Sequence, residues 1–423
     1  MNKDTKIVLK NFVNIFCIQR HFYLLPLIVY PFLIPTLGIK EFGILETSKA
    51  IAWYFTILIS YGFDYYSTKQ IVCELSNKKA VSNIISSVYT LKIIAAIFSY
   101  CIAHLLISSF PCIYIYKDSL YAFYWVAVSS AFLPTFVFQG LDKMHWLVIT
   151  DIISKAILIF FIFFCIKGPS DAILYPTILA ITDTLRVIAS LIILHLKFKI
   201  PICIPQWKII KQQIYGGSHI FASKLARTMT SRLPQVIIGL YCGPISTSLY
   251  TIGAKTVGYI LMSIDPLLQA IFPVIGKKMN ENVSNGLMFL KGFIIRSSII
   301  FGILSILCLL FTSQIIGWLA KKHIIECEHI LRLVSFLPII VSLYSLLGIG
   351  VLIPMGKGRQ YSIVVTSISM LSTVIYLLFI NTIKEYGVAL VLMIGECITL
   401  LSVLYCSIKC VLAYFKTISC TKK

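Results

Sequence analysis

The chain has 423 residues, of which 58% are hydrophobic and 13% are charged, and its mean hydropathy is +0.91. Soluble domains are about half apolar and about a quarter charged, so this composition excludes a water-soluble fold. The formal net charge of +21 is compatible with a nucleic-acid binder, a membrane-surface binder or a membrane protein with basic cytoplasmic loops. The positions of the basic residues along the chain decide among these three classes.

The 13 cysteines contain no C-x-x-C pair and no Cys/His group at the spacing of zinc ligands. The sequence therefore predicts neither a disulfide framework nor a metal site, and we interpret the cysteines as small buried hydrophobic residues. A G-x-x-x-x-G-K-[ST] phosphate loop is also absent from the sequence, which argues against nucleotide hydrolysis. We expect no cofactor and no catalytic residue.

Apolar segments recur along the whole chain with short polar breaks. A membrane-spanning helix needs about 20 mostly apolar residues, and the segments that meet this length are 12–36, 44–63, 83–107, 119–140, 147–166, 172–196, 214–240, 248–272, 293–319, 330–355, 361–381 and 387–408. The first segment follows three lysines as a secretory signal does, but it has no small-x-small cleavage site, so we expect it to be retained. The predicted fold is an all-α integral membrane protein of about 12 transmembrane helices.

The basic residues of the connecting loops predict the orientation of these spans. If the N-terminus is cytoplasmic, the inner segments contain 20 Lys and Arg residues and the outer segments contain 6. The positive-inside rule then places both termini in the cytoplasm. This arrangement accounts for much of the net charge without a nucleic-acid partner, and we expect membrane lipids to surround the protein.

The basic segment 197–213 separates six predicted spans from the other six. We therefore predict an N-terminal six-helix lobe at 1–200, a cytoplasmic linker at 201–213 and a C-terminal six-helix lobe at 214–423. In each half, a glycine precedes the second span and a lysine follows it eleven or twelve residues later: Gly38 and Lys49, Gly243 and Lys255. Such faint repetition is typical of transporters built from duplicated bundles.

Four charges in the fifth and sixth spans form two closely spaced pairs. Asp151 and Lys155 are four residues apart, and Asp183 and Arg186 are three residues apart. Side chains at these spacings lie on the same face of a helix. We therefore expect each pair to be neutralised along its own helix.

The seventh span has three basic residues and no acidic one. Lys224, Arg227 and Arg232 lie within an arc of about 140° at 100° per residue, and an unpaired charge at membrane depth costs about 2.5–3.5 kcal/mol on insertion scales. We therefore expect these residues to face a hydrated cavity that attracts a negatively charged substrate. The alternative is that basic residues lie nearer the surface and contact lipid headgroups, which we favour for Lys92 and for His104.

The complete set of candidate substrate-binding residues is Arg20, Lys49, Lys224, Arg227, Arg232 and Lys255. Asp265 has two open interpretations, a proton-coupled switch beside Pro266 or an ionic partner of Lys255. Asp183 is a second candidate for ion coupling. A proton or sodium gradient would then drive the cycle.

Five stretches resemble the Wzx-type O-antigen flippases, polysaccharide-unit exporters of the MOP superfamily that also contains the MATE drug exporters. They are FLIPTLGIKEFG (32–43), YGFDYYSTKQI (61–71), LPTFVFQGLDKM (133–144), QVIIGLYCGPISTSLYTIGAK (235–255) and LIPMGKGRQYS (352–362). One departure is at 231–234, where Ser-Arg-Leu-Pro stands in a phrase in which members often carry an aspartate. This departure places in doubt any coupling mechanism that depends on an acid there.

The resemblance implies a MATE-like pair of six-helix lobes around a cationic cavity in the bacterial inner membrane. It also implies that alternating access moves undecaprenyl-pyrophosphate-linked O-antigen repeat units from the cytoplasmic to the periplasmic leaflet. The lipid-linked oligosaccharide is the expected ligand, and a polysaccharide polymerase and a chain-length regulator are candidate protein partners.

Two alternative functions remain open. A MATE-like exporter of drugs or metabolites would commonly move cations, which a positively charged cavity repels. A membrane polysaccharide polymerase would need a sizeable outer loop or a carboxylate cluster near the interface, whereas the predicted outer loops are short and contain few acids. We predict a transporter and not an enzyme.

Overall fold

The computed structural model describes residues 3–75, 77–198 and 203–421, with side chains from 25 to 414 except at 226, 227, 230, 231, 273 and 280. Within these ranges the chain is helical and contains no β-strand. Helices are the expected result, because a backbone surrounded by lipid must satisfy its own N–H and C=O groups.

Sixteen α-helices follow one another in the described ranges. They are α1 (Lys3–Ser60), α2 (Phe63–Cys73), α3 (Lys78–Ser109), α4 (Pro111–Tyr114), α5 (Lys117–Phe132), α6 (Thr135–Gly140), α7 (His145–Cys165), α8 (Leu174–Phe198), α9 (Trp207–Tyr241), α10 (Pro244–Met262), α11 (Ile264–Glu281), α12 (Val283–Leu310), α13 (Thr312–Ala320), α14 (Ile325–Val334), α15 (Leu337–Leu347) and α16 (Gly358–Thr421). A 3₁₀ turn (Pro169–Asp171) precedes α8, and a π-helical turn (Gly348–Leu352) extends α15.

Nine stretches of the described residues are long and apolar enough to cross a membrane. The sequence predicts twelve spans, and three features account for the difference. Helix α1 contains two predicted spans separated by a break at Gly38, and α16 contains two separated at Lys384. Helix α9 is long enough to span, but its basic residues lower its hydropathy. The chain is thus an all-α multi-pass membrane protein, and twelve spans are consistent with its helices.

The break in α1 depends on the backbone freedom of one residue. Gly38 has a φ of 80° and a ψ of 165°, a region that glycine alone adopts readily. The chain can therefore leave one helix and enter the next without an intervening loop.

Residues 32–248 form one compact unit. Helix α8 packs against α5 and α7, α6 packs against α2, and α9 packs against α2 and α3. Its main apolar cluster surrounds the fully buried Phe136, Val137 and Phe138 of α6, with Val88 of α3 and Ile71 of α2. These contacts hold α2, α3 and α6 together.

Residues 1–31 and 249–423 form the second compact unit. In this unit α15 packs against α12 and α16, and α11 packs against α12. The apolar cluster contains Ile271 and Ile275 of α11, Leu290 of α12 and Leu346 of α15. A smaller cluster around Val403 joins α16 to α15.

These units differ in their bounds from the predicted lobes. Helix α9, predicted to open the second lobe, packs within the unit of residues 32–248. Cys203, near the start of the predicted linker, also packs within this unit. Its backbone N–H donates to Ser86 Oγ at 3.1 Å, and its Sγ lies 3.0 Å from Asn83 Oδ1. The division into two transport lobes stays a prediction.

The distribution of polar and apolar side chains is that of a protein in lipid. Large apolar side chains such as Phe160, Phe164 and Leu310 are exposed, while small polar ones such as Ser87 and Ser99 are buried between helices. Exposed apolar surface is favourable in a bilayer, where close packing of small residues supplies much of the association between helices. This pattern places the apolar faces against lipid.

Candidate functional site

Helix α9 presents Lys224 to an acidic residue of α2. The Lys224 Nζ lies 3.3 Å from Asp64 Oδ2 and 5.1 Å from the centroid of the Tyr65 ring. The seventh predicted span contains no acidic residue of its own, and the anion beside Lys224 comes from α2.

Lys92 of α3 contacts the same carboxylate from the other side. Its Nζ lies 3.7 Å from Asp64 Oδ1, donates to the Ala131 carbonyl at 2.6 Å and lies 5.0 Å from the Phe136 ring centroid. The interpretation of Lys92 as a headgroup contact is wrong, because its side chain is 0% exposed. His104, by contrast, is exposed, and its Nδ1 lies 2.8 Å from Tyr121 Oη.

Asp64, Lys92 and Lys224 form what we call the Asp64 cluster. Its formal charge is +1, since two ammonium groups share one carboxylate. The side chains of Asp64 and Lys224 are each 28% exposed, whereas Lys92 is enclosed. The cluster is therefore accessible from one side and closed on the other.

A second group, the Glu46 cluster, consists of Glu46, Lys49 and Gln235. The Lys49 Nζ lies 3.3 Å from Glu46 Oε1, and Gln235 Nε2 donates to Glu46 Oε2 at 3.2 Å. The Glu46 side chain is 2% exposed and that of Lys49 is 30% exposed. A buried carboxylate thus anchors a lysine whose ammonium group is partly accessible.

Arg232 lies on the same helix as Lys224 and Gln235. Its guanidinium lies 5.2 Å from the Trp53 ring centroid, a cation–π arrangement. Eight residues separate Arg232 from Lys224, which corresponds to about 12 Å along an α-helix. Helix α9 therefore carries basic groups at two depths.

The charges of α7 and α8 pair between the helices. Lys155 Nζ lies 2.8 Å from Asp183 Oδ1, and Arg186 Nη1 lies 2.8 Å from Asp151 Oδ1. The prediction that each helix neutralises its own pair is therefore wrong. Close packing of α7 on α8, at which Ser154 Oγ donates to the Thr182 carbonyl at 3.0 Å, brings the opposite charges within direct contact.

The remaining predicted residues lie in the unit of residues 1–31 and 249–423 or have no described side chain. Lys255 Nζ lies 5.7 Å from the Tyr30 ring centroid. Asp265 is exposed in the first turn of α11. The side chains of Arg20 and Arg227 lie outside the described part of the chain.

Sequence reasoning paired Lys49 with Glu46, one turn away on the same helix, but it missed Asp64. Asp64 lies within the quoted stretch 61–71. The sharing of Asp64 by two lysines, 28 and 160 residues further along the chain, had no local signal. Among the described residues, no group of three or more His, Cys, Asp or Glu residues could hold a metal ion.

The family model described as "Polysaccharide biosynthesis protein" matches residues 8–279 of this chain, which is more than half of its length. The chain belongs to this family. Both clusters lie within the matched residues, as do α2, α3 and α9.

Two relatives of this family member match over nearly their full length, and both are named "Putative O-antigen transporter". The relative from Escherichia coli (strain K12) is 25% identical over 402 residues, covering 94% of this chain and 96% of its own. The relative from Shigella dysenteriae is 25% identical over 420 residues, covering 97% of this chain and 99% of its own.

Solved structures with a similar fold include transporters of the MOP superfamily. An inward-facing MATE multidrug transporter has a TM-score of 0.70 at 13% identity, covering 92% of this chain and 98% of its own. The lipid II flippase MurJ, in an inward closed conformation, has a TM-score of 0.67 at 15% identity, covering 93% and 87%. The predicted MATE-like all-α fold is therefore confirmed.

Proposed function

We propose that this protein flips undecaprenyl-pyrophosphate-linked O-antigen repeat units from the cytoplasmic to the periplasmic leaflet of the bacterial inner membrane. Membership of the polysaccharide biosynthesis family and two full-length relatives named for O-antigen transport support the substrate class. The relatives' names also support the prediction of a transporter that is not an enzyme.

The accessibility of two lysine side chains also supports the proposal. Lys49 and Lys224, although they lie within predicted membrane spans, keep 30% and 28% of their side chains accessible. A lysine at membrane depth is costly and usually serves a function. A pyrophosphate group binds best where several cations meet in a shielded site, and the lipid tail can stay in the bilayer while the sugar crosses.

The proposed substrate-binding residues are those predicted from the sequence, Arg20, Lys49, Lys224, Arg227, Arg232 and Lys255. Alternating access would expose them to one side of the membrane and then to the other. Asp265 and Asp183 remain candidates for coupling to a proton or sodium gradient. Both termini would lie in the cytoplasm, and a polysaccharide polymerase and a chain-length regulator would receive the product in the periplasm.

Expression in a strain that lacks its own O-antigen flippase tests this function. We expect the wild-type protein to restore surface polysaccharide, and we expect Arg227→Gln and Lys255→Gln to abolish it at unchanged protein levels, because each removes a cation that attracts the substrate. Lys211→Gln serves as a control, since this lysine is exposed in the first turns of α9 beside Tyr215. Normal polysaccharide in both cavity variants would contradict the assignment of these residues.

Export of drugs or metabolites is the second candidate, because the MATE fold matches well. The surplus of positive charge opposes it, since such exporters commonly move cations. Measurement of drug resistance in the same strain separates the two functions. Increased resistance without restored polysaccharide would favour export.

A further inference from the structure

The two oxygens of Asp64 contact two different lysines. Lys92 Nζ lies 3.7 Å from Oδ1, and Lys224 Nζ lies 3.3 Å from Oδ2. The carboxylate therefore lies between two ammonium groups that come from α3 and α9. One anionic group is thus held by two cationic groups at once.

Only part of the Asp64 cluster is buried. Lys92 is held on the closed side by the Ala131 carbonyl and the Phe136 ring, so its ammonium group has little freedom to move. Asp64 and Lys224 lie on the open side, each 28% exposed. An incoming anion could therefore reach Lys224 directly, and it would reach the enclosed Lys92 only by displacing the Asp64 carboxylate.

The chemistry of the cluster favours a phosphoryl group over the carboxylate. The cluster keeps a formal charge of +1 with Asp64 in place, so it still attracts an anion. A phosphate presents two oxygens at about the same spacing as a carboxylate, with more charge and a further acceptor oxygen. The Tyr65 ring, whose centroid lies 5.1 Å from Lys224 Nζ, adds an aromatic face beside the site.

We propose that Lys92 and Lys224 form a phosphoryl-binding site that Asp64 occupies in the absence of substrate. The inference rests on the proposed function and adds Lys92 and Asp64 to its binding residues. Asp64 would lower the affinity by competing with the phosphoryl group, which allows the substrate to leave. Under the proposed orientation, Lys224 lies nearer the cytoplasm than Gln235. The Asp64 cluster would therefore bind the headgroup before it reaches the Glu46 cluster, about 16 Å further along α9.

Binding measurements on the full-length protein in nanodiscs of phosphatidylcholine test this proposal. The probes are undecaprenyl pyrophosphate, undecaprenol as the uncharged counterpart, and phosphatidylglycerol. We expect Asp64→Asn to bind undecaprenyl pyrophosphate about tenfold more tightly, and Lys224→Met to bind it about tenfold more weakly. Lys211→Met, on the exposed part of the same helix, should bind like the wild type.

The uncharged and phospholipid probes identify the source of the phosphoryl group. Undecaprenol should bind equally to all four proteins, because it lacks the group that the lysines contact. If phosphatidylglycerol binds with the same dependence on Asp64 and Lys224, the site takes phospholipid headgroups. If only undecaprenyl pyrophosphate does so, the site takes the carrier lipid.

Two outcomes would overturn the inference. One is an unchanged or weaker affinity in a folded Asp64→Asn variant, and the other is wild-type affinity in Lys224→Met. If Asp64→Asn does not fold, Lys224→Met decides alone, because Asp64 still pairs with the buried Lys92 in that variant. If the wild type restores polysaccharide but Lys224→Met binds undecaprenyl pyrophosphate normally, only the phosphoryl-binding site is refuted. If the wild type fails in both the polysaccharide and the binding assay, the proposed function is refuted.

Discussion

At the scale of single residues, Lys92 illustrates how a lysine can be enclosed within a helical bundle. Its ammonium group lies near the rings of Tyr89 and Phe136 and has one carbonyl and one carboxylate as partners. A buried charge is tolerated when it is paired and hydrogen-bonded. Loss of either residue should therefore destabilise the protein to a different extent. Loss of Asp64 leaves the enclosed Lys92 ammonium group without its carboxylate, whereas loss of Lys92 leaves Asp64 paired with Lys224.

This asymmetry predicts unequal effects of two substitutions on thermal stability. Asp64→Asn should destabilise the protein by about 3 kcal/mol, because it leaves an enclosed ammonium group without its counter-charge. Lys92→Met should cost about 1 kcal/mol or less, since methionine has a similar shape and Asp64 keeps Lys224. Thermal unfolding of the purified proteins in detergent measures both effects. A larger loss of stability in Lys92→Met than in Asp64→Asn would contradict this account.

At the scale of helices, the interface between α7 and α8 is defined by two ion pairs with partners on opposite helices. Lys155 pairs with Asp183, and Arg186 pairs with Asp151. Within lipid, these two ion pairs fix α7 and α8 in one register, because a shift of either helix along the other would break both ion pairs. The two pairs therefore contribute specificity to the packing as well as energy.

A double-mutant cycle distinguishes pairing between helices from pairing within one helix. Lys155→Met and Asp183→Asn should be coupled by about 0.5–3 kcal/mol, because each removes the partner of the other. Asp183→Asn and Arg186→Met, which lie on one helix, should show a smaller coupling energy. Unfolding of the four variants of each cycle supplies the coupling energies. Stronger coupling within α8 than between α7 and α8 would support the pairing first predicted from the sequence.

At the scale of the whole molecule, the basic residues are distributed unevenly over the loops. The predicted inner loops contain more than three times as many Lys and Arg residues as the outer ones. This bias directs insertion, because cytoplasmic loops retain positive charge. Within the spans, by contrast, Lys92, Lys155 and Lys224 lie beside acidic residues of other helices.

Reporter fusions test the predicted orientation. Alkaline phosphatase joined after Lys167, in a predicted outer loop, should be active, because the enzyme folds only in the periplasm. The same reporter joined after Lys143, in a predicted inner loop, should be inactive, and a fluorescent protein at the C-terminus should be bright. The reversed pattern of activity would place the termini in the periplasm and would reverse the direction of the proposed loading step.

The sequence by itself determined that the chain is a helical membrane protein with more cations than acids at membrane depth. Length, hydropathy and charge suffice for this, because a lipid environment admits few backbone structures and penalises each charge. The resemblance of five short stretches also indicated the family. Only the tertiary structure decided which charges meet, as with Asp64 between Lys92 and Lys224 or the crossed pairs of α7 and α8. Helical periodicity determines which residues share a face, but the neighbouring helix that supplies the partner is a property of the packing.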